Sequence, residues 1–293
     1  MILTVNSISK NFGDKKVLNG VTFAATSGKA FGLLGRNGAG KTTTIRIILG
    51  VFPQDEGEIC LDAKQIDGNS VKIGYLPEER GLYPKKLVAE QLVYFAMLKG
   101  MKKAEATQAV DYWLEKLDVF QYRNKKLETL SKGNQQKIQL ITALAHDPEV
   151  IILDEPFSGL DPVNALTLKN VIKEEIAKDK IVLFSSHQMN YVEEFCDDVA
   201  ILKEGKIVLQ GNLKEIKRNY PRNKLFVRSE QEDEIMKQYP SLVQKIGDDE
   251  LLVTAENEEN ARTLTAMFTI KYRVDEIKIF EPSLNDVFVE YTK

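Results

Sequence analysis

AFGLLGRNGAGKTTTIRIILG, residues 30–50, reads as three joined pieces. An apolar run, AFGLL, has strand character; a glycine-rich stretch follows; TTTIRIILG then has helical spacing and stops at Gly50, with Pro53 just beyond. The middle piece, Gly35, Arg36, Asn37, Gly38, Ala39, Gly40, Lys41 and Thr42, fits the P-loop pattern G-x-x-x-x-G-K-[ST], in the strand-to-helix context that pattern requires. Its glycines let the backbone wrap so that successive N–H groups and the helix N-terminus face phosphate oxygens. Lys41 is then placed to reach the β and γ phosphates, the Thr42 hydroxyl to ligate Mg²⁺, and Thr43 to continue the phosphate-facing turn. The expected ligands are therefore a nucleoside triphosphate and Mg²⁺; the motif alone leaves kinases, GTPases and helicases open.

Working outward, residues 150–155, VIILDE, form a buried-strand run ending in two carboxylates. In P-loop nucleotidases an Asp at this place holds Mg²⁺, which gives Asp154 that role. Glu155, one residue on, stands where a carboxylate can polarise a water for attack on the γ-phosphorus, a general-base task. Between the two motifs, residues 87–145 carry apolar positions such as Leu92, Phe95 and Ala96 at helical spacing. VIILDEP and KIVLFSS are β-branched runs separated by a helical segment, the grammar of a βαβ unit. Residues 1–212 are thus expected to form an α/β nucleotide-binding domain with a helical subdomain at about 87–145. Near residue 212 the chain becomes highly charged, and the order strand, helix, hairpin, helix, strand that follows predicts a small α+β domain over 213–293 of the split βαβ, ferredoxin-like kind. Ser283 with Asp286 three residues on predicts a capped final helix.

Composition removes other classes. The 293 residues suffice for about two domains. With 40 Lys and Arg against 43 Asp and Glu, the chain has no basic excess to draw it onto nucleic acid or anionic lipid, so no nucleic-acid partner is expected. No stretch approaches the roughly 18 uncharged apolar residues of a spanning helix, and the N-terminus lacks signal-peptide grammar, so a cytoplasmic location is expected. Cys60 and Cys196 make no metal or disulfide spacing and are expected to be reduced thiols.

Further motifs complete a series. Residues 130–137 read LSKGNQQK, VIILDEP is followed by SGLDP, and the next strand by Ser186 and His187. In this order the chain resembles the ATP-binding cassette (ABC) family over about residues 1–212. That resemblance implies an ATPase that hydrolyses ATP at a head-to-tail dimer interface, as homodimer or heterodimer, and works with a separate integral membrane transport subunit from the cytoplasmic side of the membrane. It implies that Phe12 stacks on adenine, that Ser131 and Gly133 bind the γ-phosphate held by the opposite subunit, that Asp161 lies in a loop crossing the dimer interface, and that His187 contacts the γ-phosphate and orients the water. A soluble ABC ATPase of translation or repair is the alternative; it would usually show a second cassette, a long coiled coil or a basic surface.

Two positions depart from the family pattern. The usual LSGGQ reads LSKGN, with Lys132 in a glycine place and Asn134 in the glutamine place. After GYLP, where a Gln commonly joins Mg²⁺ to the transport subunit, stands Glu78, which can still ligate Mg²⁺ but adds a charge and donates nothing when ionised. The run GYLPEERGLYP and the ending PSLNDVFVEYT narrow the resemblance to cassette subunits of bacterial two-component exporters, including the sodium-export group.

Overall fold

The computed structural model describes residues 1–66, 71–79 and 81–292. They fall into two compact units, one of Met1–Leu213 together with the chain from Phe288 on, the other of Lys214–Val287. Residues 213–293 were expected to stand together; the contacts instead group Leu213 and the end of the last helix with the first unit.

In chain order the first unit runs β1 (Ile2–Phe12), β2 (Lys15–Thr26), β3 (Ala30–Gly35), α1 (Lys41–Ile48), β4 (Glu56–Leu61), β5 (Lys64–Gln65) and β6 (Ile73–Leu76). Three helices follow, α2 (Val88–Leu98), α3 (Lys103–Lys116) and α4 (Lys132–Leu144). Then come β7 (Val150–Asp154), α5 (Pro162–Ala177), β8 (Ile181–Ser185), α6 (Met189–Phe195), β9 (Asp198–Lys203) and β10 (Lys206–Asn212), and α7 (Leu213–Arg218) leads onward.

Among the described residues a six-stranded sheet has the order β10-β9-β3-β8-β7-β6, parallel from β9 to β6. Every residue of β3, β7 and β8 is buried, which is why these segments read as unbroken apolar runs instead of alternating ones. A second sheet, β2-β1-β4-β5, is antiparallel, and its inward residues Leu3, Val5 and Val21 share one core with Leu33, Ile45, Ile152 and Leu183. The consequence for function is topological. Since β3, β8, β7 and β6 are parallel neighbours, the loops that follow them leave the sheet at the same edge, the place where open α/β sheets hold ligands.

Helix α4 lies directly on β6. A Cβ built on Gly74 would stand 2.0 Å from the Ala143 carbonyl oxygen, so only glycine admits this approach. The other residues that hold α4 down, Ile138, Leu140, Ile141 and Leu144, are buried along its length.

The second unit runs β11 (Lys224–Arg228), α8 (Glu232–Gln238), β12 (Val243–Gly247), β13 (Glu250–Thr254), α9 (Glu258–Lys271) and β14 (Glu276–Ile279). Its sheet order β12-β13-β11-β14, antiparallel throughout, is the ferredoxin-like arrangement. Leu225, Val227, Leu251 and Val253 pack there against Ile235 and Phe268 of the two helices. The final helix, α10 (Leu284–Thr292), opens on a reciprocal cap: the Ser283 amide donates to Asp286 Oδ2 at 2.8 Å and the Asp286 amide to Ser283 Oγ at 3.2 Å.

Candidate nucleotide site

The loop between β3 and α1 turns through Gly38 (φ 81°) and Gly40 (φ 112°), backbone positions that residues with a side chain rarely adopt. Gly40 is also hemmed in, because a Cβ there would meet Leu18 Cδ2 at 2.6 Å. The loop is tied at both flanks: the Ala39 amide donates to the Arg36 carbonyl at 3.1 Å, and the Gly205 amide donates to the Ala39 carbonyl at 3.0 Å. Lys41 Nζ donates back to the Gly35 carbonyl at 2.6 Å, which arches the side chain over the loop. Burial lowers its pKa from the usual lysine value, against the raising pull of Glu155, Asp154 and Glu78.

Four loops contribute to one open cleft of about 1080 Å³. Its walls include Gly35, Arg36, Asn37, Gly38, Gly40, Lys41, Thr42 and Thr43 from the P-loop, Glu78 after β6, Asp154 at the end of β7 with Glu155 after it, and His187 after β8. Among the residues expected at a nucleotide, these meet in one place. Asp154 is buried, and its carboxyl is held above the usual aspartate range by that burial, with Glu78 and Glu155 adding to the shift. Beside it, burial and then the Asp154 charge push the Tyr75 hydroxyl up to about 12.

Glu155 adopts φ 50°, a left-handed conformation uncommon for a residue with a side chain. It is held there from three sides. Its amide donates to the Ser185 carbonyl at 2.8 Å, Ser186 Oγ donates to Oε2 at 2.9 Å, and the His187 amide donates to Oε1 at 2.7 Å. His187 Nδ1 is 2.6 Å from the same Oε1, and a carboxylate there selects the tautomer with hydrogen on Nδ1, leaving Nε2 outside the contact.

Thr42, Asp154 and Glu78 supply only oxygen donors, and their carboxylates already repel one another, so the set fits a hard divalent cation such as Mg²⁺. Among the described residues no cluster of three or more His, Cys, Asp or Glu is arranged to hold a metal by itself.

Ser131 and Gly133 are not among the residues lining this cleft. Ser131 is the N-cap of α4, its Oγ accepting from the Asn134 amide at 3.3 Å. A Cβ on Gly133 would stand 2.5 Å from Asn164 Nδ2, so the signature glycine is pressed against the start of α5. There Asp161 caps α5, accepting from the Val163 and Asn164 amides at 3.0 Å each, and these bonds hold its carboxyl below the usual range. Phe12 also lies off the cleft lining. It is 49% exposed, edge-on to Phe52 at 5.4 Å, at the end of β1, and Lys15, Lys16 and Val17 at the start of β2 do line the cleft.

The comparisons agree with this geometry. A family model described as ABC transporter matches residues 18–158, and one described as the C-terminal domain of DrrA1-3-like ATP-binding proteins matches residues 211–292. The ABC transporter ATP-binding protein YhaQ of Bacillus subtilis is 46% identical, over 99% of this chain and 98% of its own. This chain belongs to the ABC transporter ATP-binding subunits. Among its relatives, a Nod factor export ATP-binding protein of Burkholderia lata is 34% identical over 70% of this chain and 69% of its own. The structure of another ABC transporter's ATP-binding subunit superposes with TM-score 0.69 at 30% identity, over 75% of this chain and 93% of that one.

For an ABC subunit, several residues of the site escaped the motifs. Lys15, Lys16, Val17, Glu204 and Phe288 line the cleft, yet each comes from a segment with no nucleotide pattern of its own. Gln136 and Gln139 on α4 are a second case. Gln136 Nε2 donates to the Pro156 carbonyl at 3.1 Å, next to Glu155, and Gln139 Nε2 donates to the carbonyls of Pro77 and Glu79 at 3.1 Å each, on either side of Glu78. Their spacing of three residues, one helical face, was the available signal.

Proposed function

We propose that this subunit hydrolyses ATP at an interface with a second ATP-binding subunit and couples that cycle to a separate membrane-spanning export subunit, from the cytoplasmic face of the membrane. The observation that carries the reading is the separation within one chain of Ser131 and Gly133 from the cleft holding Lys41, Thr42, Asp154 and Glu155. A helix N-terminus such as that of α4 suits a phosphate, so the two half-sites are completed by pairing subunits head to tail. In that site the P-loop amides and Lys41 hold the phosphates, Glu155 takes the proton of the attacking water, and His187, fixed through Nδ1–H by Glu155, has Nε2 as an acceptor that orients that water beside the γ-phosphate. Thr42, Asp154 and Glu78 would hold Mg²⁺, whose charge neutralises that developing on the phosphate oxygens. The half-exposed Phe12 ring would stack on the base.

An apolar cleft of about 390 Å³ lies beside the Glu78 loop, lined in part by Val51, Leu82, Phe95 and Leu98, and Val51 and Leu98 are each 64% exposed. No helix among the described residues is long and apolar enough to cross a membrane. The pore therefore belongs to another protein in this reading, and this cleft, at the helical segment, is where that protein docks. Export is supported by the name of the Nod factor relative.

The deciding experiment is Glu155→Gln. Hydrolysis is expected to slow by roughly 10² to 10⁴ with ATP binding retained, and a stable dimer to elute with ATP; Ser131→Arg added to it should abolish that dimer. Hydrolysis at the wild-type rate would show that another group is the base. A purified Glu155→Gln protein that stays monomeric with ATP would mean that its partner is a different ATP-binding subunit.

A further inference from the structure

Gln139 is a buried amide with no place in the nucleotide motifs. Its side chain is 3% exposed, lies in the middle of α4, and donates from Nε2 to the Pro77 and Glu79 carbonyls at 3.1 Å each. Glu78 is the residue between them, and it lines the nucleotide cleft with Asp154 and Thr42. One amide thus clamps the backbone on both sides of a single carboxylate.

Helix α4 is well suited to act as the fixed end of this clamp. Further along it, Gly74 of β6 touches the Ala143 carbonyl region with no room for a methyl group, and His146 Nε2 lies 3.2 Å from the Ile73 carbonyl oxygen. The helix is thereby bound to the strand from which the Glu78 loop emerges, and Gln139 fixes the loop one step beyond that strand's end. A Glu at 78 makes the clamp matter more, because its carboxylate and that of the buried Asp154 repel one another across the cleft they both line, with Lys41 the cation that draws them in. Without a restraint on its backbone the loop can relieve that repulsion by turning outward.

We propose that Gln139 is a positioning residue for the divalent cation: its two hydrogen bonds hold Glu78 at the metal side of the cleft against the repulsion of Asp154. The proposal rests on the reading of Glu78 as a metal ligand.

The test counts metal ions and not turnover. Full-length protein loaded with a non-hydrolysable ATP analogue is titrated with Mn²⁺ in place of Mg²⁺, and free Mn²⁺ is read by electron paramagnetic resonance. Gln139→Leu should weaken half-saturation about tenfold, the worth of two ordinary hydrogen bonds, while analogue affinity without metal stays within about twofold of wild type. In a Glu78→Ala background Gln139→Leu should add no further loss. If Gln139→Leu does not fold, Gln139→Asn, whose shorter amide cannot span both carbonyls, takes its place with the same expectation. Should Glu78→Ala bind Mn²⁺ as wild type does, Glu78 is no ligand and the underlying reading fails. Weakening by Glu78→Ala but not by Gln139→Leu, or a Gln139→Leu effect that persists without the Glu78 carboxylate, would each overturn the positioning role itself.

Discussion

His146 shows how one side chain can carry a pH dependence for the whole fold. It is buried at 3% exposure, its Nε2–H donates to the Ile73 carbonyl oxygen at 3.2 Å, and its Nδ1 has no partner, so a proton added there would be desolvated and unbonded. Burial lowers its pKa from 6.5 to about 4. The folded value is the depressed one, so as pH falls the unfolded chain takes up the proton first. This contribution is complete above about pH 6.5 and is lost between there and pH 4, up to about 3 kcal/mol. Urea unfolding at pH 7.5 and 5 should show the loss in wild type, and His146→Gln, which keeps a donor for Ile73, should show a smaller one; equal losses would place the dependence elsewhere. At the nucleotide, Phe12→Ala should weaken ATP binding by about 1 to 3 kcal/mol and Phe12→Tyr should be nearly silent, because a stacked base needs the ring face and not the hydroxyl. A nucleotide titration unchanged by Phe12→Ala would remove Phe12 from the site.

At the scale of elements, α4 joins three parts of the site. Its first turn holds the signature residues, and its middle holds the Glu155 and Glu78 loops through Gln136 and Gln139. That position depends on close approach to β6, which Gly74 alone permits. Gly74→Ala puts a methyl group 2.0 Å from the Ala143 carbonyl oxygen, between two backbones that have no flexible side chain to yield. The expected cost is about 1 to 3 kcal/mol of stability in chemical denaturation, with nucleotide affinity falling as the loops shift. A silent Gly74→Ala would show that helix and strand can part without loss. The signature departures are milder at this scale. Ser131 caps α4 as a serine should, and Lys132 and Asn134 stand at the helix start without disturbing that cap.

For the whole molecule, the returning tail is the feature that changes a boundary. Phe288 lines the nucleotide cleft, and the chain from it onward groups with the first unit. A fragment of residues 1–212 retains the P-loop, Asp154, Glu155 and His187 and should still bind ATP, more weakly than the full chain. Phe288→Ala in the full-length protein should reproduce most of that weakening in the same titration. A folded fragment that binds no nucleotide would show that residues beyond 212 are indispensable to the site, and not merely helpful.

The P-loop and the paired carboxylates at the end of β7 were legible in the sequence, because each is local: a few residues at set spacing, where glycine conformations, a helix N-terminus and charged side chains dictate the chemistry; His187 has no such local signal and was expected only from the family resemblance. The ferredoxin-like unit was legible for a similar reason, since its alternating strands and helices follow the order in which hairpin and crossover connections must pack. What tertiary structure decided was adjacency between segments far apart in the chain. The strand order β3-β8-β7-β6 brings four loops to one edge, and no pattern within any single strand encodes which neighbour it takes. Gln139 and Phe288 reached the site by the same route, as ordinary residues of an amphipathic helix and of the tail, given a role only when long-range packing placed an amide beside two carbonyls and an aromatic ring beside the P-loop cleft.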